Sequence, residues 1–304
     1  MKQPSFFIVG APKSGTTSLC KYLNRHPDIF VPRHKELNYF DTDLPTTSKI
    51  KDLAQYLSFF DEGQGKTCGE GSPSYLRSKI AFQAIKDFNP EAKIIIMLRE
   101  PVSLLYSFHS QLLFNGDSEE IQDFKLALEA ESDRRKGKRI PKKCTHPAKL
   151  FYRDVIKFAE QVENYFNSFG REQVHIIIFD DFQSDTDKAY RDTLEFLGVD
   201  PEFQTEYNKK NVNKKVRNVG LQNLVKHPPA KILEMGKFLV PLPRSQRRAI
   251  LEAFKNKLKS FNTKKTERSP LDPELRRNLQ TEFAPEIERL SNLIGRDLTS
   301  WSHN

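Results

Sequence analysis

Two hydrophobic patterns alternate along this chain. In one, nearly every position is apolar, as expected of a strand covered on both faces, which has no polar side to show. Residues 5–9 read SFFIV, 93–98 read KIIIML and 174–179 read VHIIIF. In the other, apolar residues recur every three or four positions, which predicts amphipathic helices. Residues 16–24 carry Leu19, Tyr22 and Leu23 at helical spacing and run into His26-Pro27, where the backbone before proline leaves the helical region. Further helices are expected over 51–60, 79–88, 101–114, 121–130, 151–166 and 189–197. Asn89-Pro90 stops the second of these, Pro101 opens the third and Gly198 closes the last. Residues 29–31 suit a short strand. After residue 219 the pattern is helical, over 220–238, 244–258 and 273–293, with a polar link at 259–270. Strands that alternate with helices and are apolar throughout predict an α/β fold with a parallel sheet flanked by helices and a helical C-terminal part. No internal repeat or interdomain linker interrupts it, so residues 1–304 read as one domain.

Composition narrows the partners without choosing one. The 304 residues include 49 basic and 40 acidic side chains, for a net charge of +9. That excess favours nucleotides, nucleic acid, sulfated or phosphorylated glycans, or a membrane surface. No zinc signature or RNA-recognition motif supports nucleic acid as the partner. The three cysteines, Cys20, Cys68 and Cys144, have no metal-site spacing and suit a reducing compartment, with Cys20 in a helix core. No apolar run approaches the ~18 residues of a membrane span, and the first is too short for a signal peptide, so a cytoplasmic location is expected without a transmembrane anchor. Residues 131–143, ESDRRKGKRIPKK, read either as a solvated connection or as a basic lip over an acidic acceptor.

The candidate chemistry lies between the first strand and the first helix. Gly10 and Gly15 have the spacing of the phosphate-binding loop G-x-x-x-x-G-K-[ST], but Thr16 occupies the lysine position and the lysine comes earlier, at Lys13. Unsatisfied N–H groups at a helix start attract an anion, and Ser14, Thr16, Thr17 and Ser18 add hydroxyl donors. The plain alternative is a helix capped by Ser or Thr. In a nucleoside triphosphatase the missing lysine meets the β- and γ-phosphates, and the next Ser or Thr holds magnesium. A lysine inside the loop suits a shorter anionic chain, with its charge on a leaving oxygen.

The run FIVGAPKSGTTSL, followed by L-x-x-H-P-D-I at 23–29, resembles the opening of the sulfotransferases that use 3′-phosphoadenosine 5′-phosphosulfate (PAPS). It is closer to the branch holding heparan sulfate sulfotransferases and bacterial relatives than to the cytosolic phenol and steroid branch. The resemblance implies a P-loop-like sheet whose motifs lie within residues 6–218. It implies that Lys13, Ser14, Gly15, Thr16, Thr17 and Ser18 bind the 5′-phosphosulfate, and that Lys13 assists transfer without a metal. In REPVSLLYSFH, Arg99 and Ser107 match the site for the nucleotide's 3′-phosphate, although Arg99 alone also suits an ion pair at a helix start. In HKELNYFDTD, Glu36 matches the general base, with Lys35 beside it on the acceptor side, although a solvated loop carboxylate has the same local pattern. In CGEGSPSYL, Ser72 and Tyr75 match residues near the acceptor, and Gly71 stands where several glycan-modifying members carry lysine. Asn213, Lys214, Lys215 and Arg217 match a basic loop over the 3′-phosphate, and also read as a solvated loop.

The cytosolic branch uses a histidine base, but His26 reads as structural, and neither His34 nor His109 stands at the base position. The resemblance favours a carbohydrate hydroxyl as acceptor; a lipid, a secondary metabolite or a carrier-bound acyl hydroxyl also remain. The rival class is a P-loop kinase or nucleoside triphosphatase. It requires the absent lysine and an acid at a strand end, for which Asp180-Asp181 is the candidate.

Overall fold

Five strands, β1 (Phe6–Gly10), β2 (Ile29–Phe30), β3 (Thr67–Gly71), β4 (Lys93–Leu98) and β5 (Val174–Ile178), pair in parallel in the order β2-β3-β1-β4-β5. The computed structural model describes residues 2–34, 36–44, 50, 52–116, 118–207 and 269–303, and the backbone of 214–216 and 263–265. The all-apolar runs follow from the two covered faces. Phe7, Val9, Ile94, Ile96 and Leu98 point into one core; Phe6, Ile8, Ile95 and Met97 point into the other. Each is 0% exposed, which contributes ~2 kcal/mol per side chain.

The second face is covered by α1 (Thr16–Leu23) and α10 (Thr186–Leu197). The first is covered by α3 (Ala81–Phe88), α4 (Pro101–Asn115), α8 (Phe158–Phe169) and the C-terminal α11 (Pro273–Ile294). Shorter helices, α2 (Leu53–Ser58), α5 (Phe124–Glu129), α6 (Glu131–Arg135), α7 (Tyr152–Val155) and α9 (Phe179–Ser184), connect these layers. No described helix is long and apolar enough to cross a membrane.

Five sequence expectations change. The sequence TCGEG forms β3, although it has neither apolar alternation nor a run. Its glycines admit neighbours: the Phe6 ring occupies the place of a Gly69 Cβ, and Cys20 Sγ lies 2.6 Å from that of Gly71. The helix expected over 151–166 is broken at Lys157, because Glu286 of α11 accepts the Ala159 N–H at 2.7 Å and caps a second start. Phe179 opens α9 instead of closing β5, so the Asp180-Asp181 pair lies in the first turn of a helix and not at a strand end. The first five residues of the expected 131–143 loop form α6. Within the polar stretches, β6 (Lys214–Val216) and β7 (Thr263–Lys265) pair antiparallel. The helices expected over 220–238 and 244–258 fall outside the described residues.

Candidate active site

β1 is the middle strand, so the loop that follows it emerges beside the C-terminal end of β4. That is where an open α/β sheet leaves a crevice for ligands. The Ala11 N–H donates to the Met97 carbonyl at 2.6 Å, which ties the loop to β4. At Gly10 the Leu76 side chain fills the space a Cβ would take. Gly15 is the N-cap of α1 at φ 92, with no side chain capping the helix and no acid in its first turn. The alternative of a Ser/Thr-capped helix therefore does not hold, and the N-terminal N–H groups of α1 face the loop. Ser14 is 0% exposed, and its Oγ has no hydrogen-bond partner among the described residues. An oxyanion seated in the loop would satisfy both the hydroxyl and the helix start. Thr16 is buried, Ser18 half-buried and Thr17 exposed in the first turn that follows.

Arg99, at the end of β4, joins this loop from 86 positions away. Its Nη1 donates to the Lys13 carbonyl at 3.1 Å, and its guanidinium lies 4.6 Å from the centre of the Phe179 ring. The same ring would meet a Gly15 Cβ at 3.2 Å, so it underlies both the loop and the arginine. Glu100, the next residue, caps α4 through Val102 N (3.0 Å) and Ser103 N (2.8 Å) and meets Arg276 of α11 at 3.3 Å. Ser107 is buried two turns along α4. Two cationic residues and an uncapped helix start thus meet beyond the C-terminal ends of β1 and β4.

Glu36 lies at the rim of the neighbouring strand. It is exposed, has φ 58, and donates its N–H to the Gly71 carbonyl at 3.2 Å. The chain after it is held by a buried carboxylate that the sequence analysis missed. Glu70, 2% exposed, accepts from Ser72 Oγ (2.6 Å), Tyr75 Oη (2.8 Å) and Tyr56 Oη (2.6 Å). Ser72 Oγ then accepts the Asn38 N–H at 3.1 Å, and Tyr75 Oη accepts the Tyr39 N–H at 2.9 Å. Burial pushes the Glu70 carboxyl up to about 6, and its three hydroxyl donors only partly offset this. Nearby Asp41 is also raised by burial. Ser72 and Tyr75 are therefore 0% exposed and fully engaged in holding the 38–40 segment. The signal for Glu70 in the sequence was a lone acid between two glycines, followed by hydroxyl residues at 72 and 75.

Other expected residues fall elsewhere. Lys35, Asn213 and Arg217 lie outside the described residues. Lys214 and Lys215 belong to β6, whose backbone lies against α4, the helix of Ser107. His26 is structural: its Nε2 meets the Asp200 carbonyl at 3.0 Å and its Nδ1 accepts from Asp28 N at 3.1 Å. His109 meets the Ile121 carbonyl at 2.9 Å, and His34 stacks on Phe59. The acids the rival class would need serve the C-terminus: Asp180 accepts from Trp301 Nε1 at 3.1 Å, and Asp181 pairs with Arg296 at 2.9 Å.

Residues 3–289 match the profile of the sulfotransferase domain. The solved structure of a sulfotransferase from Alicyclobacillus acidocaldarius is 30% identical, with a TM-score of 0.72 and 99% of each chain covered. Two longer relatives align over most of this chain. The membrane-associated sulfotransferase kil1 of Dictyostelium discoideum is 24% identical over 69% of this chain and 59% of its own length. Mouse heparan sulfate glucosamine 3-O-sulfotransferase 5 is 24% identical over 67% of this chain and 56% of its own. This chain thus spans a little over half the length of those two relatives.

Proposed function

The chain belongs to the sulfotransferase family and is a sulfotransferase, and from that premise we propose that it uses PAPS to sulfate a hydroxyl on a carbohydrate or glycoconjugate, within one domain over 1–304. The observation that carries the nucleotide half is the loop itself: an uncapped α1 start, the orphaned buried Ser14 hydroxyl, and Arg99 bound to Lys13. These residues fit a phosphate ester. PAPS supplies a sulfuryl group already joined to a phosphate leaving group. The N–H groups of residues 14–18, with the Ser14, Thr16, Thr17 and Ser18 hydroxyls, hold the 5′ end. Lys13 meets the charge that grows on the departing phosphate oxygen. Arg99 and Ser107, with the 213–217 segment, take the 3′-phosphate.

Glu36 accepts the proton of the acceptor hydroxyl as its oxygen bonds to sulfur. The exposure of Glu36 on a braced segment supports this role, because a base must reach a bulky acceptor yet keep its position. Ser72 and Tyr75 act on the acceptor side by holding residues 38–40. The carbohydrate acceptor is favoured by the substrate named for the mouse relative.

Thermal unfolding with adenosine 3′,5′-bisphosphate, compared with magnesium ATP, tests the reading. A ligand bound only by the folded state adds about 2.7 kcal/mol at 100 times its Kd. A shift with the bisphosphate that Arg99→Ala abolishes is expected. Glu36→Gln should keep the shift and lose transfer. A shift with magnesium ATP alone would overturn the proposal.

A further inference from the structure

A second anion site is built into the segment after α4, away from the loop. Arg134 and Glu119 both have 0% side-chain exposure and form a two-pronged pair, with Nη1 and Nη2 each 2.7 Å from a carboxylate oxygen. Glu119 is further held by the Tyr152 hydroxyl at 2.6 Å and by the Glu120 and Ile121 N–H groups at 2.9 Å. Burial alone would raise the Glu119 carboxyl, but the arginine and these donors outweigh it and hold it below its ordinary value. The pair is therefore an ionised, rigid unit. Its third nitrogen has no such partner: Arg134 Nε is buried without a hydrogen bond among the described residues. An unsatisfied N–H on a guanidinium is costly to bury, so the Glu119 pair holds this side chain in place at a cost.

Arg134 lines a cleft of ≈ 550 Å³, a volume typical of sites for small organic ligands. Ile121 and Ile140 give it an apolar wall, and Arg139, Lys142 and Lys143 its charged rim. Glu120 is the one carboxylate among the lining residues. Arg139 is loosely matched by Asp133 at 3.7 Å, while Lys142 and Lys143 are exposed and make no ion pair among the described residues. Residues 131–143 hold seven basic and two acidic side chains, so the rim keeps a positive excess.

We propose that this cleft binds an oxyanion ester on a sugar-sized group, with the sulfate or phosphate on the cationic rim and the carbon face of the ring on Ile121 and Ile140. Two sources supply that chemistry, a charged saccharide chain or a small free anion. The site does not rest on the transfer reading, because none of its lining residues belongs to the loop, to the Glu36 segment or to Arg99.

Titration calorimetry on the full chain, with the bisphosphate present in excess to occupy the loop, tests it. The probes are a sulfated disaccharide, its desulfated counterpart and inorganic sulfate. The sulfated disaccharide should bind and its counterpart should not. The exposed double variant Lys142→Glu/Lys143→Glu should weaken that binding about tenfold, with bisphosphate affinity and Tm unchanged, and added salt should weaken the wild type in the same way. Binding of inorganic sulfate as tight as that of the disaccharide, and lost in the rim variant, supports the site and identifies a free anion as its ligand. Equal binding of both disaccharides, or of the sulfated one to wild type and rim variant, overturns the proposal. Failure of the bisphosphate to bind would instead sink the transfer reading and leave the rim comparison intact.

Discussion

Gly71→Ala should destabilise the fold by ~1–3 kcal/mol, the usual cost of forcing one extra carbon into a packed interior. A Cβ at Gly71 lies 2.6 Å from Cys20 Sγ, far inside the ~3.5–4.0 Å at which such atoms attract. Neither partner can easily give way. Gly71 sits on β3 in register with Ile8 of β1, and Cys20 is 3% exposed on α1. Thermal unfolding should show a Tm lower by roughly 2–10 °C. The mechanism is then isolated by repeating the substitution in Cys20→Ala, where Sγ is gone. There the added methyl should cost less than ~1 kcal/mol, giving a coupling of ~1–2 kcal/mol between the two sites. The same penalty in both backgrounds, or none in wild type, would refute the packing argument. The result also bears on function. The lysine that several glycan-modifying members carry at this place needs the same room, so Gly71→Lys should fold only with a smaller residue at position 20.

Glu70→Gln should flatten the pH dependence of stability between about pH 4.5 and pH 6. Burial pushes the folded carboxyl up to about 6 from its ordinary value of 4.5, so the favourable contribution of its proton is complete below pH ~4.5 and fades as pH rises through 6. The change is about 2 kcal/mol, and urea unfolding at pH 4.5, 5.5 and 7.5 reads it; parallel curves for wild type and variant would contradict the burial argument. Ser14→Ala should leave the ligand-free protein as stable as wild type, or ~1 kcal/mol more so, because it removes an unpaired buried hydroxyl. The same variant should bind adenosine 3′,5′-bisphosphate about five- to tenfold more weakly by calorimetry, the loss of one good hydrogen bond. A loss of stability without a loss of affinity would make Ser14 a packing residue only.

Much of the candidate site was legible because its signals are local. Strand, glycine turn and helix follow one another within Phe6–Leu23, and periodicity alone places β1, the loop and α1. The runs at 93–98 and 174–179 announced sheet positions because a strand buried on both faces cannot hide its composition. The matches at Lys13, Glu36 and Arg99 were carried by neighbouring residues in the same motifs. What stayed hidden depends on partners distant in the chain. TCGEG is a strand only because β1 and β2 lie on either side of it, and its glycines make sense only against Phe6 and Cys20. Glu70 is a buried hub because Tyr56, Ser72 and Tyr75 converge on it from separate segments. The break in the 151–166 helix comes from Glu286, 127 positions after the N–H it accepts. The order of elements and the position of the candidate loop could be read from the chain alone, since propensity, periodicity and turn residues act over a few positions. That Arg99 binds Lys13, that Glu70 braces the Glu36 segment and that Arg134 pairs with Glu119 beside a cleft came from the fold, because burial and hydrogen-bond partners are set by packing between elements far apart in the chain.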